Sequence, residues 1–306
     1  MKTRFILNPC SGKNRRRPRL ASGIQDFICE RGLDAGLVFT ERPGHATELA
    51  LAALDEGCQR IVAVGGDGTM NEVAKALVGT GAALALVPCG SGNGLALHLG
   101  IPTDPPRALA LLADPRARVV AIDSATANGI PFFNVMGIGF DAEISRRFNR
   151  LTRRSLPAYI RTGIAALLRH NTEWVTIQAG GGSRHSIEVF LVAVANSDQY
   201  GNFARIAPGA DIADGLLDLV AVRRPGFLGS CLLASRLFLG NFHRSPRVLR
   251  LQAPRFIIER PAAGFLHADG ETHSTGSVVE IAVRPRSLRI LVPATCPLDA
   301  DQPFLT

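Results

Sequence analysis

The segment Val64-Gly65-Gly66-Asp67-Gly68-Thr69-Met70-Asn71-Glu72 sets three glycines around a carboxylate, after a β-rich run and before a helical pattern. Glycines let backbone N–H groups approach phosphate oxygens closely, and a helix N-terminus adds partial positive charge. Asp67 would repel phosphate unless a cation bridged them, so the loop points to phosphate chemistry assisted by Mg²⁺. Thr69 and Glu72 by themselves read as a capping box, which leaves Gly65, Gly66 and Asp67 to be explained. A second loop, Pro88-Cys89-Gly90-Ser91-Gly92-Asn93-Gly94, and a third, Asn8-Pro9-Cys10-Ser11-Gly12-Lys13, also follow β-rich runs. Each alone is as readily a turn as a ligand loop. Three such loops at one sheet edge point to a nucleotide. The chain has neither a G-x-G-x-x-G fingerprint nor a Walker lysine loop. Much later comes His267-Ala268-Asp269-Gly270-Glu271. Asp-Gly there is a hairpin signal, and taken alone it reads as a turn carrying two solvated acids.

The elements that must position these loops differ along the chain. Strand candidates Arg4–Leu7, Gly36–Thr40, Arg60–Val64 and Leu84–Val87 alternate with helical runs such as Pro43–Glu56. That alternation predicts an α/β domain with a parallel sheet over residues 1–125, whose loops lie at the carboxyl edge of the strands. Beyond it the apolar runs Phe132–Met136, Trp174–Gln178, Val189–Ala195 and Leu216–Val222 come without regular helices between them. One helical interval is expected, over Asp141–His170. Residues 126–306 therefore read as a mostly antiparallel β domain, with Val278–Val283 and Leu288–Val292 free to return to either domain.

Bulk composition narrows the class. Apolar residues make up 46% of 306, which fits a globular chain. No apolar run approaches the ~18 residues of a membrane span, and the N-terminal apolar stretch is too short for a signal peptide. A cytoplasmic location is expected. Six cysteines without a C-x-x-C pair argue against a zinc site or a disulfide framework. The net charge of +8 is almost wholly arginine, and such a surface suits phosphates, nucleic acid or anionic lipid.

Taken together, the motifs resemble the diacylglycerol kinase catalytic-domain superfamily, which includes bacterial lipid kinases and sphingosine kinases. The ordered matches are N-P-x-S-G at 8–12, G-G-D-G-T at 65–69, P-x-G-S-G-N at 88–93 and D-G-E at 269–271. Phe133–Asp141, Ala207-Pro208 and Ala210–Asp218 add to them, so the resemblance spans nearly the whole chain. It implies a nucleotide-binding α/β domain and a β-sandwich domain, with the active site in the cleft between them. It carries over ATP contacts at Thr40 and at Gly65, Gly66, Asp67, Gly68, Thr69, Met70 and Asn71. Asn8, Ser11, Gly90, Ser91 and Asn93 complete the nucleotide set. Glu271 is carried over as the catalytic residue, and Asp67 as essential to the phosphate and Mg²⁺ arrangement. A second, structural Mg²⁺ site is implied at Asp211, Asp214 and the carbonyl of Leu216.

The activity so implied is transfer of the γ-phosphate of ATP to a lipid hydroxyl, with Glu271 as base; the roles of Asp67 and Glu271 could be exchanged. Diacylglycerol or a related glycerolipid is the expected acceptor. The loop Ser91-Gly92-Asn93-Gly94-Leu95-Ala96 is closer to the sphingosine-kinase form, and Asp141 could line the acceptor pocket there. A sphingoid-base kinase is the alternative, ahead of an NAD kinase, which shares G-G-D-G-T, and of a catalytically silent lipid-binding protein. The Arg-rich stretch around Arg146, Arg150, Arg154 and Arg161 is basic and amphipathic, and predicts transient contact with an anionic membrane surface. The expected partners are thus ATP and a membrane lipid, with no nucleic acid; the oligomeric state is open, a homodimer included.

Overall fold

The structure is a computed structural model that describes residues 1–12, 19–139, 172–182 and 184–298. It divides into two compact units, Met1–Asp123 with Pro285–Thr306, and Ser124–Arg284. The first contains β1 (Thr3–Leu7), α1 (Leu20–Glu30), β2 (Ala35–Phe39), α2 (His45–Asp55), β3 (Arg60–Gly65), α3 (Asp67–Leu77), β4 (Ala83–Pro88), α4 (Gly94–His98) and α5 (Pro105–Leu112). The four strands pair in parallel in the order β2-β1-β3-β4. Phe5, Ile6, Ile61, Val62, Leu84 and Val87 are fully buried, which is why these strands read as unbroken apolar runs and not as alternating ones. The order reverses at β1: the chain runs out to β2 and returns to the other side for β3. Loops after β1 and β3 therefore diverge and leave a crevice at the strand ends. The register Leu7↔Val64 and Gly65↔Pro88 brings the three glycine-containing loops level there.

The chain continues with β5 (Arg118–Ala127), β6 (Ile130–Phe132), β7 (Val135–Gly139), β8 (Glu173–Ala179), β9 (Arg184–Val189), β10 (Leu191–Ala195), β11 (Gln199–Gly201) and β12 (Ala204–Arg205). Then come β13 (Leu217–Val222), α6 (Phe227–Leu239), β14 (Val248–Ala253), β15 (Arg255–Glu259), β16 (Gly264–Ala268), β17 (Glu271–Thr275) and β18 (Val278–Val292). In the second unit β14-β13-β10-β7-β16-β17 form an antiparallel sheet. Its Met136, Ile138, Val192, Val194 and Leu266 share one buried cluster with Val175, Ile177, Phe256, Ile258 and Val279 of β8, β15 and β18. That is a β-sandwich. The opposite face of the first sheet is buried too, because Ala193, Ala195, Val220 and Val222 cluster with Ile206, Leu233 and Phe242. The last residues of β18 group with the first unit, where Ile290 pairs in parallel with Leu84.

The expected architecture, an α/β domain with a parallel sheet followed by an antiparallel β-sandwich, is the one found. Several local expectations are corrected: the run expected over Val189–Ala195 divides at Phe190 between β9 and β10, and Val278–Val283 and Leu288–Val292 belong to the single strand β18. The single strand expected over Phe132–Met136 is interrupted at Phe133-Asn134, whose amides bond to a side chain. A regular helix, α6, stands among strands where none was expected. Its Leu233 packs inward while Leu228 and Leu232 face outward, so it shows no single apolar stripe to be read.

Candidate functional site

The three loops of the first unit are interlocked. The Cys89 amide donates to Gly65 O at 2.6 Å. The Gly66 and Gly90 backbones approach so closely that a Cβ at Gly90 would sit 2.7 Å from Gly66 Cα. Asn8 links the 8–13 loop to the 64–72 loop. Its Oδ1 accepts the Cys10 amide at 2.9 Å, and its Nδ2 donates to Thr69 Oγ1 at 3.1 Å. Gly12, at φ 42, lies against the Cys89 carbonyl, where no side chain fits. Ser11 Oγ would be 3.1 Å from a Cβ at Gly66. Glycine is thus required at these crossings for close backbone approach.

Asp67 is the clamp of the set. Its two carboxylate oxygens accept the Asn93 and Gly94 amides, each at 2.9 Å, tying α3 to the start of α4. Asn93 holds a left-handed turn at φ 53 and folds its side-chain amide onto both backbone groups of Gly90 at 3.1 Å. A small cavity adjoins this clamp, lined by Asp67 and Asn93 together with Met70, Leu86 and Leu95. Above it, the first amides of α3 lack intrahelical partners by helix geometry, and no side chain caps the helix. They form a donor array suited to phosphate oxygens.

The remaining nucleotide candidates take three positions. Gly68 and Ser91 are exposed at the edge, and Thr40 is buried at the end of β2 with its amide on Leu7 O. Met70 and Asn71 lie one turn inside α3 and are buried; Asn71 Oδ1 has no hydrogen-bond partner among the described residues. The capping box expected of Thr69 and Glu72 is not formed, since α3 already begins at Asp67. Thr69 instead receives Asn8. Glu72 reaches outward and accepts the Gly44 and Ala46 amides at 2.9 and 3.0 Å, capping α2.

In the second unit Glu271 opens β17, paired with Ala268 across a two-residue turn. Asp269 and Gly270 both have positive φ, 49 and 87, the signature of a type I′ hairpin turn. Asp269 is not a solvated acid. Its carboxylate accepts the Phe133, Asn134 and Val135 amides at 2.7, 2.8 and 2.9 Å, fastening the hairpin to β7. Burial pushes this carboxyl above the usual carboxylate range, against the three amide donors. Reading of the sequence missed Asp269 as a residue that fixes where Glu271 sits. The visible signal was the Asp-Gly turn beside an acid.

Asp211, Asp214 and Leu216 lie on one loop ahead of β13. The two carboxylates accept local amides, Ala213 and Leu216 respectively. Burial, and then the charges of Asp211 and Asp218, hold the Asp214 carboxyl above its ordinary value. Asp218 itself is paired with Arg250 at 2.7 Å. Among the described residues no group of three or more His, Cys, Asp or Glu side chains is placed to hold a metal. The two hard carboxylates, in mutual repulsion, are of the donor type that a Mg²⁺ ion completing its shell with water would accept. Asp141 and the Arg-rich stretch lie outside the described residues. Among those described, no helix is long and apolar enough to cross a membrane.

Comparison with known proteins follows the same division. Residues 2–125 match the family model of the diacylglycerol kinase catalytic domain, and residues 134–292 that of the YegS C-terminal NAD kinase beta sandwich-like domain. A Pseudomonas fluorescens protein named "Probable lipid kinase YegS-like" is 31% identical over 271 residues, covering 87% of this chain and 88% of the relative. One of the same name from Cronobacter sakazakii is 31% identical over 303 residues, covering 96% and 97%. A crystal structure described as "a putative diacylglycerol kinase from Bacillus anthracis str. Sterne" superposes with a TM-score of 0.80 over 96% of both chains. At 23% identity that likeness is one of fold.

Proposed function

The chain belongs to the lipid kinases that join a diacylglycerol kinase catalytic domain to a YegS-type C-terminal domain, and from that premise we propose that it moves the γ-phosphate of ATP onto a hydroxyl of a glycerolipid, diacylglycerol above all. The observation that carries this reading is the Asp67 clamp. It fixes the 88–94 loop against the N-terminus of α3, whose first amides then stand as a preorganised donor array of the kind phosphoryl transfer needs. Gly65, Gly66, Gly68 and Gly90 let the triphosphate lie against backbone, while Ser11, Ser91 and Asn8 offer side-chain hydrogen bonds at the same edge. The unpartnered acceptor of Asn71 is what a side chain kept for a ligand or a water looks like.

Bound Mg²⁺ supplies positive charge to the phosphates, and Asp67 is the carboxylate of this loop able to hold it, since each oxygen keeps a lone pair beyond its amide bond. Glu271 accepts the proton of the lipid hydroxyl as that oxygen bonds to the γ-phosphorus and the bond to the ADP oxygen breaks. Asp269 acts one step back, by fixing the turn from which Glu271 emerges. Asp211, Asp214 and the Leu216 carbonyl would hold a second Mg²⁺ with a structural role, and Asp141 is kept as the candidate contact to the acceptor.

The test is Glu271→Gln, which preserves shape and removes the proton acceptor. Loss of a general base lowers rate by ~10²–10⁴-fold. The expected result is a fall of that size in kcat with ATP affinity unchanged. A matching loss of ATP affinity would make Glu271 a nucleotide or metal ligand instead.

A further inference from the structure

In the second unit one face of α6 packs inward through Leu233 and Leu237, whereas the opposite face is apolar and left uncovered by the described residues. Leu228, Leu232 and Leu239 fall on that face at helical spacing and are 81%, 55% and 72% exposed. A further exposed apolar residue lies near the end of the helix. Gly240 lies against the Arg205 side chain, 3.6 Å from an added Cβ, which brings the β11–β12 hairpin to the helix end. At that hairpin's tip Phe203 is 63% exposed. Isolated surface leucines are ordinary, but a contiguous apolar patch on a chain of this kind calls for something to cover it.

The charge around the patch says what. From residue 219 to 258 the chain has seven arginines and no Asp or Glu. Arg250 and Arg255 are paired with Asp218 and Glu280, which leaves Arg223, Arg224, Arg236, Arg244 and Arg247 to set the charge around α6. Arg223 and Arg224 are exposed just before α6, and Arg247 joins them through a 3.1 Å bond to the Arg224 carbonyl. Arg244 is exposed just after its other end. A protein partner or a second copy would leave this unrelieved positive rim facing a like rim or needing an acidic one, whereas anionic phospholipid offers both phosphate and hydrocarbon at the right depths. We propose that this face seats the protein on an anionic bilayer, with the α6 leucines and Phe203 entering the headgroup boundary and the arginines meeting lipid phosphates. The inference rests on the lipid-kinase reading in one respect only: an acceptor held in a bilayer has to be visited there.

Co-sedimentation with vesicles of phosphatidylcholine, with and without phosphatidylglycerol, tests it in the absence of ATP and diacylglycerol. The full chain should bind the anionic vesicles and release them at high salt. The triple variant Leu228→Ser/Leu232→Ser/Leu239→Ser should lose roughly tenfold or more in partitioning. Arg224→Gln/Arg244→Gln should lose about fivefold per arginine on anionic vesicles alone. Both variants should keep the wild-type melting temperature and the wild-type rate on a dispersed short-chain diacylglycerol. Unchanged vesicle binding in the triple variant would overturn the proposal. So would a wild-type dimer that the leucine changes dissociate, or a variant that melts earlier, as it would if the face were already covered within the chain. If vesicle binding behaves as expected but no lipid is phosphorylated, the kinase reading fails and the docking surface stands.

Discussion

Asp269→Asn isolates what the hairpin carboxylate contributes. Asparagine keeps the volume and tolerates the left-handed backbone at φ 49, so the change converts one acceptor into a donor. Oδ1 can still take the Asn134 and Val135 amides, now bonded at 2.8 and 2.9 Å. The new NH₂ then faces the Phe133 amide, which today donates at 2.7 Å. One charge-assisted bond of about 1.5–3 kcal/mol disappears, and a buried N–H is left without a partner at about 1–3 kcal/mol. Removing a buried charge offsets part of this, which leaves a net loss of about 2 kcal/mol. For a domain of this size that corresponds to a fall in Tm of about 4–8 °C. The assay is a thermal melt repeated across pH. A carboxyl raised by burial contributes its full stability below the unfolded value near ~3.9 and loses it as pH climbs through the folded one. The gap between wild type and variant should therefore be widest in acid and narrow toward neutral pH. A variant with the wild-type Tm throughout would refute the claim that Asp269 fastens the hairpin.

Three further outcomes follow from the same geometry. Asp67→Asn keeps one of the two amide bonds that tie the loops and turns a donor toward the other, so kcat/KM should fall at least ~10²-fold through misplaced loops, with stability lower by about 1 kcal/mol; near-normal turnover would refute the clamp. Glu72→Ala uncaps α2 and should cost about 1 kcal/mol of stability with the KM for ATP unchanged, whereas a raised KM would make Glu72 a nucleotide contact. With chelator present, wild-type Tm should decline as pH rises from ~3.9 through the raised pKa of Asp214. Added Mg²⁺ should restore it in wild type and not in Asp214→Asn, and an equal response in both would remove the second metal site.

The glycine loops were legible because glycine directly after a buried strand costs backbone entropy and is kept where a backbone must be closely approached. The crossing of Gly66 with Gly90, and the seat of Gly12 on Cys89, are the physical content of that pattern. The capping box failed because Thr69 and Glu72 also satisfy longer-range needs, and only the start of α3 at Asp67 decides between them. Asp269 escaped notice because an Asp-Gly turn looks alike whether its carboxylate meets water or the amides of residues 133–135. The strand broken at Phe133-Asn134 is the same event seen from its other side. α6 was hidden by being apolar on two faces, one buried in its own unit and one left over.

Identification of the phosphorylated product tests the central claim most directly. The protein is incubated with γ-labelled ATP, Mg²⁺ and mixed vesicles containing diacylglycerol and sphingosine, with NAD in solution. The expected label is on phosphatidic acid, lost in Glu271→Gln. Label on a sphingoid base would move the acceptor while leaving the kinase reading intact. Label on NADP, or on no lipid at all, would contradict it.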